Sequence, residues 1–537
     1  MKRLLLFTAM ATLLVACGND IPQNFWEADE LPNIYPDYTN VTVPINIAPL
    51  TFQIDGHADD VVARLSAGEE EVICSGREIM PDADDWKRLT ERAKGDAIKV
   101  EVFVEQNGSW RRFKPFNIYV SPDSIDPYIS YRLIPPSYVT YEDLTINQRC
   151  LENYDESVIY NNMLCSDGGD GQCINCHNYQ QYNPERMQFH ARQRMGGTVI
   201  AYDGDIKKIN MRNDSILSAG VYPAWHPSLK LIVYSTNMTG QVFHSVNPNK
   251  IEVFDSESDL IAYDVEKNEV TNIENDSTEM ECFPFWAPDG KTLYYCSAHF
   301  EYRDTIDKGA EFTTRTQEAK YNLYKKSFDP ATMQFGPREL VFAADSIDKS
   351  ATLPRISPDG RFLMFTLAQY GVFHIWHHDA DLWLLDLQTG KARIMGELNS
   401  PDTESYHSWS SNGKWVVFSS RRYDSNYTRP FIAHIDSNGR GSKPFELPCA
   451  YPDRHRQLLK SYNVPEFMHG PVTITPQQFA DALKQEGEPV KYVNRLSKQC
   501  SHDLSANRIR KTKKQRKTCR YRQEFVSLTQ IQPKTCR

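Results

Sequence analysis

No stretch of eighteen or more apolar residues occurs after the first twenty positions, so nothing beyond that point reads as a membrane-spanning helix. There is no Gly-x-Ser-x-Gly, no glycine-rich phosphate loop and no His-Glu-x-x-His. Their absence removes the usual signatures of α/β-hydrolases, P-loop nucleotide enzymes and zinc proteases. Positive charge is not in surplus either. The 60 Lys and Arg stand against 70 Asp and Glu, a net −10, which argues against a nucleic-acid-binding protein. What is present is the makeup of a globular chain, 40% hydrophobic and 24% charged over 537 residues. Aromatics reach 12%, with 28 Tyr and 31 Pro, a mixture that favours many short strands and turns over long helices.

The charge is uneven. Residues 498–522 hold ten Lys or Arg against one acid, Asp503, a net +9 that leaves −19 for the rest. Such a run reads as a solvated extension, with contact to acidic lipid or nucleic acid as the lesser alternative. At the other end, Lys2 and Arg3 precede an apolar run, Leu4 to Leu14, of signal-peptide length. It closes on Leu14-Val15-Ala16-Cys17, which resembles the lipobox of bacterial lipoproteins. That resemblance implies a signal peptide at 1–16, lipidation of Cys17, a tether over 17–40, and a place in the cell envelope, lipid-anchored on the periplasmic or outer-surface side. An ordinary secretory signal is the alternative. Twelve Cys fit an oxidising compartment. Cys150 with Cys165, and Cys282 with Cys296, are candidate disulfide pairs.

Three regions follow. Residues 41–125 read as a β-sandwich-like domain, immunoglobulin-like in outline. Ile98 to Val104 alternates strictly, Asn107-Gly108 is a hairpin turn, and Trp110 to Val120 returns. A short helix is expected near Asp84 to Lys94. Residues 126–197 are less regular. Residues 198–470 carry a repeat: Tyr222-Pro223-Ala224-Trp225, Phe283-Pro284-Phe285-Trp286, Leu353-Pro354-Arg355-Ile356 and Tyr406-His407-Ser408-Trp409. Each is followed by a tight turn and a β-branched or aromatic run. Pro227, Pro288, Pro358 and Ser411 mark the turns. The repeat resembles that of TolB-like β-propellers, marked by a Trp-Ser-Pro-Asp-Gly hairpin, and so implies a propeller of five or six blades. Residues 471–537 hold one short helix, capped by Thr475 and Pro476, and the basic tail.

One motif carries chemistry: Cys173-Ile174-Asn175-Cys176-His177 matches the c-type haem attachment sequence. On a helical turn, Cys173 and Cys176 would reach two vinyl groups as thioethers and His177 would face the iron. A redox Cys-x-x-Cys and a zinc half-site are the alternatives, neither with its usual sequence context. Followed by Met187-x-Phe189-His190 and placed before TolB-like blades, the segment looks like that of envelope lipoproteins joining a propeller to a cytochrome. The cofactor expected is covalent haem c, held by a segment at 126–197. His190 is the expected sixth ligand, reached by a turn at Asn183-Pro184, with Met187 next and Met195 also near.

The sequence thus leads to a mainly β, membrane-tethered haem protein that transfers electrons, with the propeller as platform for a redox or envelope protein partner and no nucleic acid bound. A non-catalytic binding or scaffold propeller is the alternative. A haem enzyme such as a peroxidase is the third reading, so whether the protein is an enzyme stays open.

Overall fold

The computed structural model describes residues 21–136, 143–165, 172–304 and 306–495. Cys17 and the basic run at 498–522 lie outside them. The described residues up to Asn494 form one compact unit.

The N-terminal part is two packed sheets. The larger centres on Ala97–Gln106, whose alternating apolar residues face the core. Asn107 and Gly108, both at positive φ, turn the chain into Ser109–Arg112, and the return resumes at Phe116–Ser121. The smaller sheet joins Ile34–Tyr35, Phe52–Ile54 and Glu78–Ile79. The expected helix spans Ala83–Arg92, capped by Asp82. The tether reading does not hold for residues 21–40. Trp26–Glu27 pairs with Ser109–Arg112, and Tyr38 is fully buried.

Six four-stranded antiparallel arrays follow, and we number them as blades. Blade 1 consists of Tyr128–Ile134, Thr145–Cys150 and Glu156–Asn161, with Ser461–Met468 as its innermost strand. Blade 2 runs outward from Ile174–Tyr179 through Arg186–Ala191 and Gly197–Tyr202 to Asp205–Asn210. Blades 3 to 6 begin at Gly220–Trp225, Glu279–Trp286, Ser350–Ile356 and Glu404–Trp409. Each innermost strand contacts the next, and Ser461–Met468 contacts Ile174–Tyr179, which completes the ring. The propeller is therefore six-bladed and occupies 128–468 rather than 198–470. A C-terminal strand closes blade 1 against strands more than 300 positions earlier.

Local chemistry explains the repeat. In the Pro288-Asp289-Gly290 turn, Asp289 Oδ1 accepts from the amides of Lys291 at 2.7 Å and Thr292 at 3.1 Å. Gly290 has φ +63°, and a Cβ there would meet the His226 ring at 2.8 Å. His226 Nε2 bonds to the Gly290 carbonyl at 2.8 Å, so this histidine links neighbouring blades. The run after each turn is buried on both faces, as at Phe362–Ala368 and Trp415–Ser420. The expected disulfides are absent. Cys282 and Cys296 are register partners with free thiols, and Cys150 and Cys165 are also free.

The helix Pro476–Lys484 begins with the expected Thr475 cap, here a full capping box with Gln478. Its Phe479 meets Phe189 of blade 2 edge-on. Blade 6 and blade 1 share one core with the N-terminal sheets, from Ile34 and Tyr38 to Trp415 and Phe467.

Candidate functional site

Every innermost strand carries one non-glycine residue at positive φ: Cys176, Tyr222, Phe283, Leu353, Tyr406 and Val464, all between 48° and 58°. The pairing register shifts at each of them, which marks a bulge. Left-handed backbone costs an ordinary residue about 1–2 kcal/mol. Six occurrences at one position show the strain built into the repeat by its surroundings. The next residue is Pro in four blades (Pro223, Pro284, Pro354 and Pro465) and His in two (His177 and His407).

The Cys176-His177 pair is therefore the blade 2 copy of this bulge. Cys173 is half-buried ahead of the strand, and its carbonyl accepts from the Arg192 amide at 2.9 Å. Cys176 is buried, and burial raises its thiol pKa. His177 is 2% exposed and its Nε2 has no partner. Burial, then the nearby Arg132, lowers it to about 3. Met187 is fully buried in the core beneath the C-terminal helix. His190 bonds Thr198 Oγ1 through Nδ1 at 3.1 Å inside its own blade, and burial lowers it to about 3.

These residues do not fit a haem c. From Ile174 on, the motif lies on a strand broken by the bulge at Cys176, not on a helical turn. His190 pairs with Asn175 on the adjacent strand, not on a helical turn with Met187. Adjacent strands run about 4.8 Å apart, which leaves no room for a macrocycle between His177 and His190. Met187 is enclosed by core side chains, and Met195 follows in a short 3-10 turn. Among the described residues, no group of three or more His, Cys, Asp or Glu is placed to hold a metal ion.

The two residues after the Pro or His line an axial channel at one end of the ring. The first set is Glu466, Asn178, Ala224, Phe285, Arg355 and Ser408, one from each blade in order. The second is Phe467, Tyr179, Trp225, Trp286, Ile356 and Trp409, mostly aromatic. They surround a space of about 720 Å³, part of it open to solvent. Two charged groups face it. Arg355 donates to its own Pro354 carbonyl at 3.1 Å and lies over the Phe285 ring at 4.8 Å. Burial lowers its pKa, with Glu466 partly offsetting this. Glu466 accepts from Asn178 Nδ2 at 2.8 Å through Oε1, while Oε2 has no partner. Burial raises its carboxyl to about 7, although the Asn178 bond and Arg355 pull the other way.

A second cluster lies where the N-terminal sheets meet blades 1 and 6. Cys449 Sγ stands 3.4 Å from His455 Nε2 and 3.4 Å from Arg149 Nη1. Glu446 bonds the other nitrogen of His455, and Tyr462 lies 3.1 Å from Nε2. Burial opposes each charge. His455 and Arg149 nevertheless bring the Cys449 thiol down to about 7, and Cys449, Tyr462 and Glu446 hold His455 well above its ordinary value. Thr51 and Tyr38 bond the carbonyls of Cys449 and Glu446 from the N-terminal side. Neither cluster is visible as a sequence motif, since members come from positions up to 313 apart.

No protein-family model and no curated protein matches this sequence. Among solved structures, the chain is similar to TolB from Acinetobacter baumannii, at 14% identity over 72% of this chain and 85% of that one, with a TM-score of 0.40. Oligogalacturonate lyase in complex with manganese is 12% identical over 63% of this chain and 86% of that one, with a TM-score of 0.30. Prolyl oligopeptidase B from Galerina marginata is 9% identical, with a TM-score of 0.34. The match covers 65% of this chain and 42% of that protein. At these TM-scores the propeller rests on its own strand pairing, which shows a mainly β architecture of six four-stranded blades.

Proposed function

We propose that the protein is a binding propeller of the cell envelope whose axial channel mouth receives part of a ligand or partner. The observation that carries this reading is the channel lining. Six blades converge there on a solvent-open, aromatic-walled space in which one cation and one carboxylate feel each other without forming an ion pair among the described residues. Concave, mostly apolar sites with a few convergent polar groups are the usual form of binding pockets. The envelope location rests on the N-terminal sequence, with Cys17 as the lipid attachment point. No reaction is assigned, and electron transfer is not retained because the Cys173–His177 segment does not fit its haem.

Three tryptophans at the mouth, Trp225, Trp286 and Trp409, provide the test. Titrating the full chain with short peptides and envelope sugar fragments should change their emission. Ser408→Phe, which plugs the mouth, should abolish the change. Silence with every probe would overturn the reading. Cys17→Ser should move the protein from the membrane to the soluble fraction.

A further inference from the structure

We propose that the group received at the channel mouth is a carboxylate, anchored by Arg355. This rests on the mouth being the binding site. A guanidinium offers five N–H donors in a planar fork that matches a carboxylate. Here one donor is engaged, by the residue's own neighbouring carbonyl, and the flat face is held by Phe285. Among the described residues no carboxylate lies within ion-pair distance of it, although acidic residues outnumber basic ones in the whole chain.

The other charged group at the mouth supports an anionic ligand. Glu466 stands two blades away, with Ser408 between, and burial keeps its proton until about pH 7. A protonated carboxyl donates through the oxygen that now lacks a partner, so Arg355 and Glu466 offer donors toward one space. Asn178 holds the other oxygen of Glu466 and orients it. The aromatic walls lower the local polarity and so strengthen a charge-assisted bond. Only about 110 Å³ of this space is free for an occupant, which suits a chain end or a small acidic group better than a folded surface.

The carboxylate could belong to a peptide C-terminus or to an acidic sugar, and the experiment separates the two. Calorimetry on the full chain at about pH 6, below the value of about 7 for Glu466, would compare two matched pairs. One is a tripeptide against its C-terminal amide, and the other galacturonate against galactose. The acid of one pair should bind about tenfold or more tightly than its neutral partner. Arg355→Met should erase that preference, so that acid and neutral members of the pair bind alike. Equal binding of acid and neutral members would overturn the carboxylate assignment and leave the mouth standing as a site. A full absence of binding in both pairs, with no tryptophan response, would overturn both. The pair that shows the preference names the source.

Discussion

The strand Ser461–Met468 contributes to two charge clusters with opposite designs. At one end Tyr462 belongs to the Cys449–His455–Glu446–Arg149 group, and further along Glu466 faces the channel. The first group pairs anions with cations, is sealed between two parts of the protein, and ends in bonds to the N-terminal sheets. The second leaves Glu466 Oε2 without a partner and Arg355 outside any ion pair among the described residues, both in the channel wall. Buried charges paired with one another hold parts together even where single atoms, here Glu446 Oε2 and Arg149 Nε, keep no partner, and removing one member strands the rest. Charge left unsatisfied at an opening weakens the fold a little and is available to a ligand. The contrast separates a joint from a site without appeal to residue type, since both hold Arg and Glu.

The largest expected effect lies in the joint. His455→Ala leaves Glu446 facing a missing imidazolium and should cost about 3–5 kcal/mol of unfolding free energy in urea titration of the full chain. A loss below about 1 kcal/mol would erase the distinction between the two clusters.

Glu466→Gln should act in the opposite direction. A carboxyl raised from 4.5 to about 7 binds its proton more tightly in the folded state. That stabilisation is complete below 4.5 and is lost as the pH rises through about 7. The shift corresponds to about 3 kcal/mol, or about 2 after allowance for its partial exposure. The variant should therefore be more stable than the parent at about pH 8 and equal to it at about pH 4, read as a melting temperature against pH. Parallel pH curves would mean that Glu466 is already satisfied.

His177→Pro sharpens the comparison inside the ring of innermost strands. Pro223, Pro284, Pro354 and Pro465 occupy the same place in four other blades, so the backbone accepts proline there. Chemical denaturation should show a change within about 1 kcal/mol. A loss of about 3 kcal/mol or more would give the imidazole a role of its own. The smallest effect belongs to Arg355→Met, within about 0.5 kcal/mol by the same measurement, because its guanidinium has no carboxylate to abandon.

Much of the fold was legible along the chain. The Asn107-Gly108 hairpin, the Ala83–Arg92 helix, the Thr475 cap and four blade hairpins all follow from short-range rules of turn chemistry and alternation. Two further copies of the repeat were also readable, as Cys176-His177-Asn178-Tyr179 and Val464-Pro465-Glu466-Phe467. The first was obscured because its cysteine and histidine complete another well-known pattern. The second keeps the spacing of the others but was obscured because no return strand follows it, its partner being Tyr128–Ile134 near the other end of the propeller sequence.

The sequence by itself determined the strands, the turns and a repeated residue-Pro-or-His-x-aromatic unit, because each depends on neighbours a few positions away. It could not say whether Cys173, Cys176 and His177 sit on a helical turn or an extended strand, since the three letters allow both. Pairing with Arg186–Ala191 decided that. Nor could it bring Arg355 and Glu466 to one channel, or Cys449 to Arg149. Residues 111 and 300 positions apart meet only when six blades close around an axis and a C-terminal strand completes the first. The packing of the parts then sets which of those charges form close pairs and which face the channel instead.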